Sequence, residues 1–129
     1  MKHIAILPIL LFVFAACTSS AQEKRTSDQA FTDLSVEEFK IKMQEDNIVI
    51  LDVRTPQETA AGKIEGAIEM DILAPDFSEK ASQLDPSKTY LVYCKAGGRS
   101  ARACSAMSEQ GFSNLYNLKG GYTAWKTSH

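Results

Sequence analysis

One cysteine near the middle of the chain has the surroundings that make a thiol reactive. It follows an apolar run at residues 90–93 and opens the segment Cys94-Lys95-Ala96-Gly97-Gly98-Arg99-Ser100. A buried strand that leads through a tight loop into a helix gathers backbone N–H groups around one point. Those groups would stabilise a thiolate, which is the nucleophilic form of cysteine. The segment therefore predicts a nucleophilic cysteine in an anion-binding loop.

The other residues of this loop each have a predicted contribution. Gly97 and Gly98 permit the positive φ angles and close backbone approach that a tight loop needs. Arg99, at the start of the predicted helix, can complete an anion-binding cradle, and Lys95 can attract a negatively charged substrate. Lys95 could equally be a solvated loop residue, and Cys94 a buried structural thiol. The predicted site comprises the catalytic Cys94 and the substrate-binding Lys95, Ala96, Gly97, Gly98, Arg99 and Ser100.

The sequence provides this cysteine with neither an imidazole nor a set of metal ligands. The two histidines are His3, beside an N-terminal apolar segment, and His129, the last residue, so the loop itself must activate the thiol. The three cysteines, Cys17, Cys94 and Cys104, form no C-x-x-C pair, which argues against a zinc site. We expect no metal and no cofactor. Cys104 is expected to be a structural thiol on a buried helix face; the alternative is a resolving thiol for Cys94.

Strand patterns and helix patterns alternate along the rest of the chain. Continuous apolar runs at residues 48–53 and 89–93 are typical of strands buried on both faces of a parallel sheet. The pattern predicts an α/β domain with a mostly parallel central sheet and helices on both faces, in which Cys94 ends a strand at the ligand-binding edge. The predicted strands are residues 48–53, 67–70, 89–93 and 114–118. Two helices are predicted to begin after Ser35 and at Pro56, and three more are predicted at residues 75–84, 100–110 and 122–126.

The Cys94 loop resembles the active-site loop of rhodanese-type sulfurtransferases, in which the cysteine carries a transferable sulfur as a persulfide. Protein phosphatases also place a cysteine and an arginine around an anion, but with five residues between the two. In this chain four residues, Lys95 to Gly98, separate Cys94 from Arg99. The smaller cradle suits a sulfur atom better than a tetrahedral phosphate. The resemblance implies a rhodanese-like α/β sandwich.

Two further segments carry the same resemblance, which covers residues 34–125. The first runs from Asp52-Val53-Arg54 through Glu58 to Gly62-Lys63-Ile64-Glu65-Gly66-Ala67-Ile68, with Lys63 where the family usually has a histidine and Thr59 where it has an aromatic residue. Asp52, Arg54 and Glu58 are expected to support the structure, and Arg54 lies close enough to Glu58 to pair with it, unless both are solvated. The second segment runs from Asn114 to Trp125 and contains Leu118-Lys119-Gly120-Gly121, whose glycines are expected to let the chain turn. Trp125 is expected at the core edge or else at the substrate mouth.

The resemblance implies a sulfurtransferase that moves a sulfane sulfur from a donor such as thiosulfate to a thiophilic acceptor, cyanide or a thiol, through a Cys94 persulfide. The length of 129 residues suits one domain, and a net charge of −2 indicates no nucleic-acid partner. We expect a monomer with small-molecule substrates. Two other classes remain open: a catalytically silent rhodanese-like module that binds a partner in the cell envelope, and a small phosphatase or arsenate reductase.

The first residues have the pattern of an export signal. A basic start precedes an apolar run at residues 4–16, which is too short to span a bilayer and suits a secretory signal. Phe14-Ala15-Ala16-Cys17 resembles a bacterial lipobox, which implies cleavage before Cys17 and lipidation of that cysteine; cleavage near Ala21 is the alternative. The expected location is the periplasm or the outer membrane, with a lipid anchor. The predicted divisions are a signal peptide at 1–16, a flexible tether at 17–33 and a rhodanese-like domain at 34–129.

Overall fold

The computed structural model describes residues 29–128, in which strands and helices alternate. The predicted signal peptide, Cys17 and His129 lie outside the described residues. None of the described helices is both long and apolar enough to cross a membrane. The strands are β1 (Thr32–Leu34), β2 (Ile48–Asp52), β3 (Ile68–Glu69), β4 (Thr89–Tyr93) and β5 (Leu115–Leu118), and the helices are α1 (Val36–Lys42), α2 (Pro56–Ala60), α3 (Phe77–Ser82), α4 (Gly98–Glu109) and α5 (Gly121–Thr127).

The strands form one sheet in the order β1-β5-β4-β2-β3. All four pairings among the described strands are parallel, so the α/β prediction is confirmed and the sheet is entirely parallel. β4 lies at the centre, with β2 on one side and β5 on the other. The register pairs Asp52 with Tyr93, so both side chains lie at the carboxyl end of the sheet immediately before Cys94.

Successive side chains of β4 point to opposite faces of the sheet, as the strand geometry requires. Leu91 and Tyr93 join the core beneath α1 and α5, where Phe39 is fully buried. Val92 and Cys94 join the other core, which α3 and α4 cover. The helices therefore lie on both faces, as predicted, and the Cys94 side chain lies on the α4 side.

The first strand, β1, was not predicted. It lies at the sheet edge, pairs with β5 through Thr32 and Tyr116, and begins inside the segment predicted to be a flexible tether up to residue 33. Only Leu34 of its three residues is buried, so the sequence offers no alternation from which to identify it. This strand brings Asp33 beside Asn117 of β5.

Candidate active site

The loop after β4 turns directly into α4. Gly97 adopts a φ of 108°, a conformation that residues with a Cβ rarely take, and α4 begins at the next residue, Gly98. The helix therefore starts earlier than the predicted residue 100. Its first turn presents unpaired backbone N–H groups toward the strand end, where Cys94 lies.

The Cys94 sulfur accepts two hydrogen bonds from this turn. The Gly97 N–H lies 3.0 Å from Sγ, and the Ser100 hydroxyl, which donates, lies 3.3 Å from it. Cys94 is only 1% exposed and Ser100 is fully buried, so water does not compete strongly for these hydrogen bonds. The sequence predicted a role for the Ser100 backbone, whereas the structure adds its hydroxyl to the site.

The surroundings of Cys94 favour its thiolate. Burial is the largest influence on the pKa of this thiol and raises it, because a charge is costly away from water. The Ser100 hydroxyl, together with the backbone N–H groups of Ser100, Gly97 and Ala96, outweighs burial and brings the pKa below its ordinary value. The loop thus activates the cysteine without an imidazole, and the described residues contain no histidine.

The first turn of α5 fixes the same loop from its other side. The Tyr122 N–H donates to the Cys94 carbonyl at 2.8 Å, and the Thr123 N–H donates to the Lys95 carbonyl at 3.1 Å. Gly121 immediately precedes Tyr122, and a Cβ there would come within 2.5 Å of the Lys95 carbonyl oxygen. The sequence predicted only a turn at Gly120-Gly121, and in the structure the Gly121 backbone lies in close contact with the Cys94 loop.

A buried asparagine supports the loop from β5. The Asn117 amide donates to the Gly97 carbonyl at 3.2 Å and to the Asp33 carboxylate at 2.9 Å. Asn117 is only 4% exposed. Its amide connects Asp33 of the edge strand β1 to the carbonyl of Gly97, the residue whose N–H donates to the Cys94 sulfur. Sequence analysis missed Asn117, and the available signal was a polar residue between Leu115 and Leu118 in an apolar strand.

A buried network holds the adjoining strand ends together. The Arg54 guanidinium pairs with the Asp52 carboxylate at 2.7 Å and donates to the Gly62 carbonyl at 2.8 Å. The Tyr93 hydroxyl donates to Asp52 at 2.6 Å and accepts from the Ile64 N–H at 3.0 Å. Asp52 and Arg54 therefore form a buried ion pair at the strand end, and the supporting role expected of them stays a prediction. The expected contact between Arg54 and Glu58 is wrong, because Asp52 occupies the arginine.

Glu58 pairs instead with Arg99 of the Cys94 loop. Two hydrogen bonds, of 2.6 and 2.9 Å, join the guanidinium to both carboxylate oxygens, and the two side chains are 22% and 28% exposed. The bond to Arg99 is the main reason why the pKa of Glu58 falls to about 2. Glu58 also completes a capping box with Thr55 at the start of α2. The guanidinium predicted for the anion-binding cradle thus carries its own carboxylate partner.

The remaining predicted residues lie where the loop meets solvent or at the core edge. Lys95, Ala96 and Gly98 are exposed. Trp125 packs edge-to-face against Phe39 of α1, with ring centroids 6.2 Å apart, which is the core-edge alternative. In place of the usual histidine, the Lys63 ammonium donates to the Ala67 carbonyl at 3.2 Å.

The second described cysteine is not suited to chemistry. Cys104 is fully buried on the α4 face that packs against the sheet, and both it and Cys94 are free thiols. Burial raises the pKa of Cys104 to about 12, so its thiolate is scarce near neutral pH. The structural role predicted for Cys104 agrees with these surroundings.

A protein-family profile and several known proteins are similar to this chain. The profile of the Rhodanese-like domain matches residues 35–128. The chain is 33% identical over 81 residues to a sulfurtransferase of Allochromatium vinosum, and the match covers 62% of this chain and 73% of that protein. It is 36% identical over 95 residues to the protein YtwF of Bacillus subtilis, and the match covers 73% of this chain and 89% of YtwF. It is 38% identical over 87 residues to a tRNA uridine(34) hydroxylase of Cytophaga hutchinsonii, covering 65% of this chain but only 28% of the hydroxylase.

A solved structure shares the fold as well. The rhodanese-related protein of Thermoplasma volcanium superimposes with a TM-score of 0.68 at 28% identity, covering 76% of this chain and 93% of that one. The profile match extends from the start of α1 to the end of α5, and therefore includes the Cys94 loop and the contacts that α5 and Asn117 make with it. This chain belongs to the rhodanese-like family.

Proposed function

We propose that this protein is a sulfurtransferase that carries a sulfane sulfur as a persulfide on Cys94. The observation that supports this most directly is the pair of donors on the Cys94 sulfur, Gly97 N–H at 3.0 Å and the Ser100 hydroxyl at 3.3 Å, in a buried site. They favour the thiolate, which is the attacking form. The sulfurtransferase of Allochromatium vinosum, at 33% identity, supports the same reaction class.

The first half-reaction loads the enzyme from a donor such as thiosulfate. The Cys94 thiolate attacks the outer sulfur of thiosulfate, a new S–S bond forms, and the original S–S bond breaks. Sulfite leaves with the electron pair of that bond, and Cys94 keeps a persulfide with one negative charge. The donors of the loop are fixed before the reaction begins, so they stabilise the sulfur anion without reorganising.

The second half-reaction returns the enzyme to its starting state. A thiophilic acceptor, cyanide or a thiolate, attacks the outer sulfur of the persulfide, and the S–S bond to Cys94 breaks. The electron pair returns to the Cys94 sulfur, which again becomes a thiolate bound by Gly97 and Ser100. The same donors therefore assist attack in one step and departure in the other.

Mass spectrometry of the purified protein before and after thiosulfate treatment tests this proposal. We expect Cys94 to gain the mass of one sulfur atom, and cyanide to remove it with formation of thiocyanate. Cys94→Ser should gain nothing, whereas Cys104→Ser, which changes the other buried thiol, should be loaded like the wild type. Thiocyanate formation by Cys94→Ser would refute the mechanism. Absence of the adduct with thiosulfate and other sulfane donors would favour the catalytically silent module.

We also propose export and lipid anchoring, on the sequence of residues 1–17 alone. The basic start, the apolar run and Ala15-Ala16-Cys17 support cleavage before Cys17. Metabolic labelling with a fatty-acid probe should mark the wild-type protein, and Cys17→Ser should abolish the label. An unlabelled wild-type protein whose mature form begins at Gln22, after Ala21, would refute lipidation and favour ordinary signal cleavage.

A further inference from the structure

The charged side chains around Cys94 are largely paired with one another. Arg99 is joined to Glu58 by bonds of 2.6 and 2.9 Å, and Arg54 is joined to Asp52 at 2.7 Å. The segment 94–100 contains only one other cation, Lys95, which is exposed. An activated thiolate beside these groups brings their combined charge close to zero.

We infer that Glu58 is a specificity-determining residue for the sulfur donor: by neutralising Arg99, it prevents the site from preferring dianionic donors over donors that carry one negative charge. The inference rests on the proposed sulfur transfer and concerns the same site. The inferred substrates are sulfane-sulfur donors of low charge, and thiosulfate is accepted but not favoured.

The geometry of the pair makes this neutralisation strong. Both carboxylate oxygens of Glu58 face the guanidinium, and a bidentate pair of this kind fixes orientation as well as charge. Glu58 is itself held by the Thr55 hydroxyl at 3.1 Å within its capping box, so it cannot swing away freely. A donor that used Arg99 as its anion partner would have to displace a carboxylate that is already in place.

The Cys94 thiolate also acts on Arg99 directly. The bond to Glu58 is the main reason why the pKa of the Arg99 guanidinium is raised, and the negative charge at Cys94 raises it further. Arg99 directly precedes Ser100, whose hydroxyl donates to the Cys94 sulfur at 3.3 Å, so its charge lies in the first turn of α4 beside the reacting sulfur and can influence a charged donor once its carboxylate partner is removed.

Two donors that differ by one charge allow a direct test. Thiosulfate carries two negative charges and releases sulfite, whereas methanethiosulfonate carries one and releases methanesulfinate. In both cases the Cys94 thiolate attacks the outer sulfur, one S–S bond forms and one breaks, and the leaving group keeps the electron pair. The measured quantity is kcat/KM for thiosulfate divided by kcat/KM for methanethiosulfonate at low ionic strength.

Glu58→Gln keeps the size of the side chain and removes its charge. We expect this selectivity ratio to rise on the order of tenfold in favour of thiosulfate, because Arg99 is then free to attract the second negative charge. Glu37→Gln is the matched control, since Glu37 is exposed in the first turn of α1, on the face of the sheet opposite α4. Its ratio should equal that of the wild type.

The double variant Glu58→Gln/Arg99→Gln removes both charges of the pair, and we expect its ratio to return to within about twofold of the wild type. Retention of the Glu58→Gln gain in the double variant would show that Arg99 is not its source and would overturn the inference. A ratio unchanged by Glu58→Gln, with both donors still loading Cys94, would overturn it as well. Failure of both donors to load wild-type Cys94 would instead refute the proposed function on which it rests.

Added NaCl supplies a second readout on the same proteins. In Glu58→Gln the selectivity ratio should fall toward the wild-type value as salt screens the freed Arg99, and it should fall by more than any decrease that the exposed Lys95 causes in the wild type. An equal salt dependence of the ratio in the two proteins would contradict the inference.

Discussion

Replacement of Gly121 by alanine is expected to lower the reactivity of the Cys94 thiol, although no residue of the Cys94 loop is changed. The new Cβ would lie 2.5 Å from the carbonyl carbon and oxygen of Lys95 and 2.6 Å from the carbonyl oxygen of Cys94. These atoms belong to backbone and cannot rotate away. The loop must therefore move by about 1 Å to reach an ordinary contact.

The displacement acts on the hydrogen bonds that activate the thiol. It separates the loop carbonyls from the Tyr122 and Thr123 N–H groups and misaligns the Gly97 N–H, which lies 3.0 Å from the Cys94 sulfur. A misplacement of this size costs on the order of 100-fold in reaction rate. We also expect the pKa of Cys94 to rise toward its ordinary value.

Gly66→Ala is the matched control. Gly66 has a φ of 82°, comparable to the 59° of Gly121, but a Cβ there meets nothing within 4 Å. Gly66→Ala should lose about 1–2 kcal/mol of unfolding free energy through backbone strain, and Gly121→Ala should lose more because it must also relieve the contact with the loop carbonyls; urea denaturation measures both losses. Only Gly121→Ala should slow persulfide formation and shift the pH dependence of Cys94 alkylation. Wild-type rates and pH dependence in a folded Gly121→Ala protein would refute this account of the loop.

Three further predictions concern individual side chains. Ser100→Ala removes the hydroxyl donor and should raise the pKa of Cys94, slowing its alkylation near neutral pH roughly fivefold; an unchanged pH profile would contradict this. Cys104, whose pKa is about 12, should resist alkylation in the folded protein and react once urea unfolds it, as peptide masses would show; labelling of the folded protein would contradict its burial. The pKa of Glu58, about 2, lies below that of an unfolded glutamate, so its contribution to stability is complete above about pH 5 and is lost as the pH falls toward 2. Glu58→Gln should flatten that part of the stability curve, and an unaltered curve would contradict it.

The amino-acid sequence was sufficient for the fold class because its signals are local. The apolar run at 89–93 coincides with β4, and the Ser35 capping box begins α1, because apolar periodicity and cap chemistry depend on residues within one or two turns of each other. The loop at Cys94 could be identified for the same reason. Its glycines, its position after a buried strand and the helix that follows are all contiguous in the chain.

The partners of the charged side chains could not be read in this way. Glu58 lies four residues from Arg54, which suggested a contact, but it pairs with Arg99, 41 residues away in the sequence. The sheet order explains the choice, because β2 and β4 are neighbours and bring the start of α2 beside the start of α4. Arg54 meanwhile turns back to Asp52, where both groups are buried.

The residues that support the loop could not be predicted from the sequence, for the same physical reason. Asn117 and Gly121 contact the Cys94 loop only because β5 is the other neighbour of β4 and α5 packs beside the strand end. Local patterns specify which segments become strands and helices, whereas contacts between segments follow from strand order, which no spacing along the chain encodes. The sequence by itself thus determined the α/β class and predicted the nucleophile and its loop, and only the tertiary structure decided which distant residues hold that loop and which carboxylate pairs with its arginine.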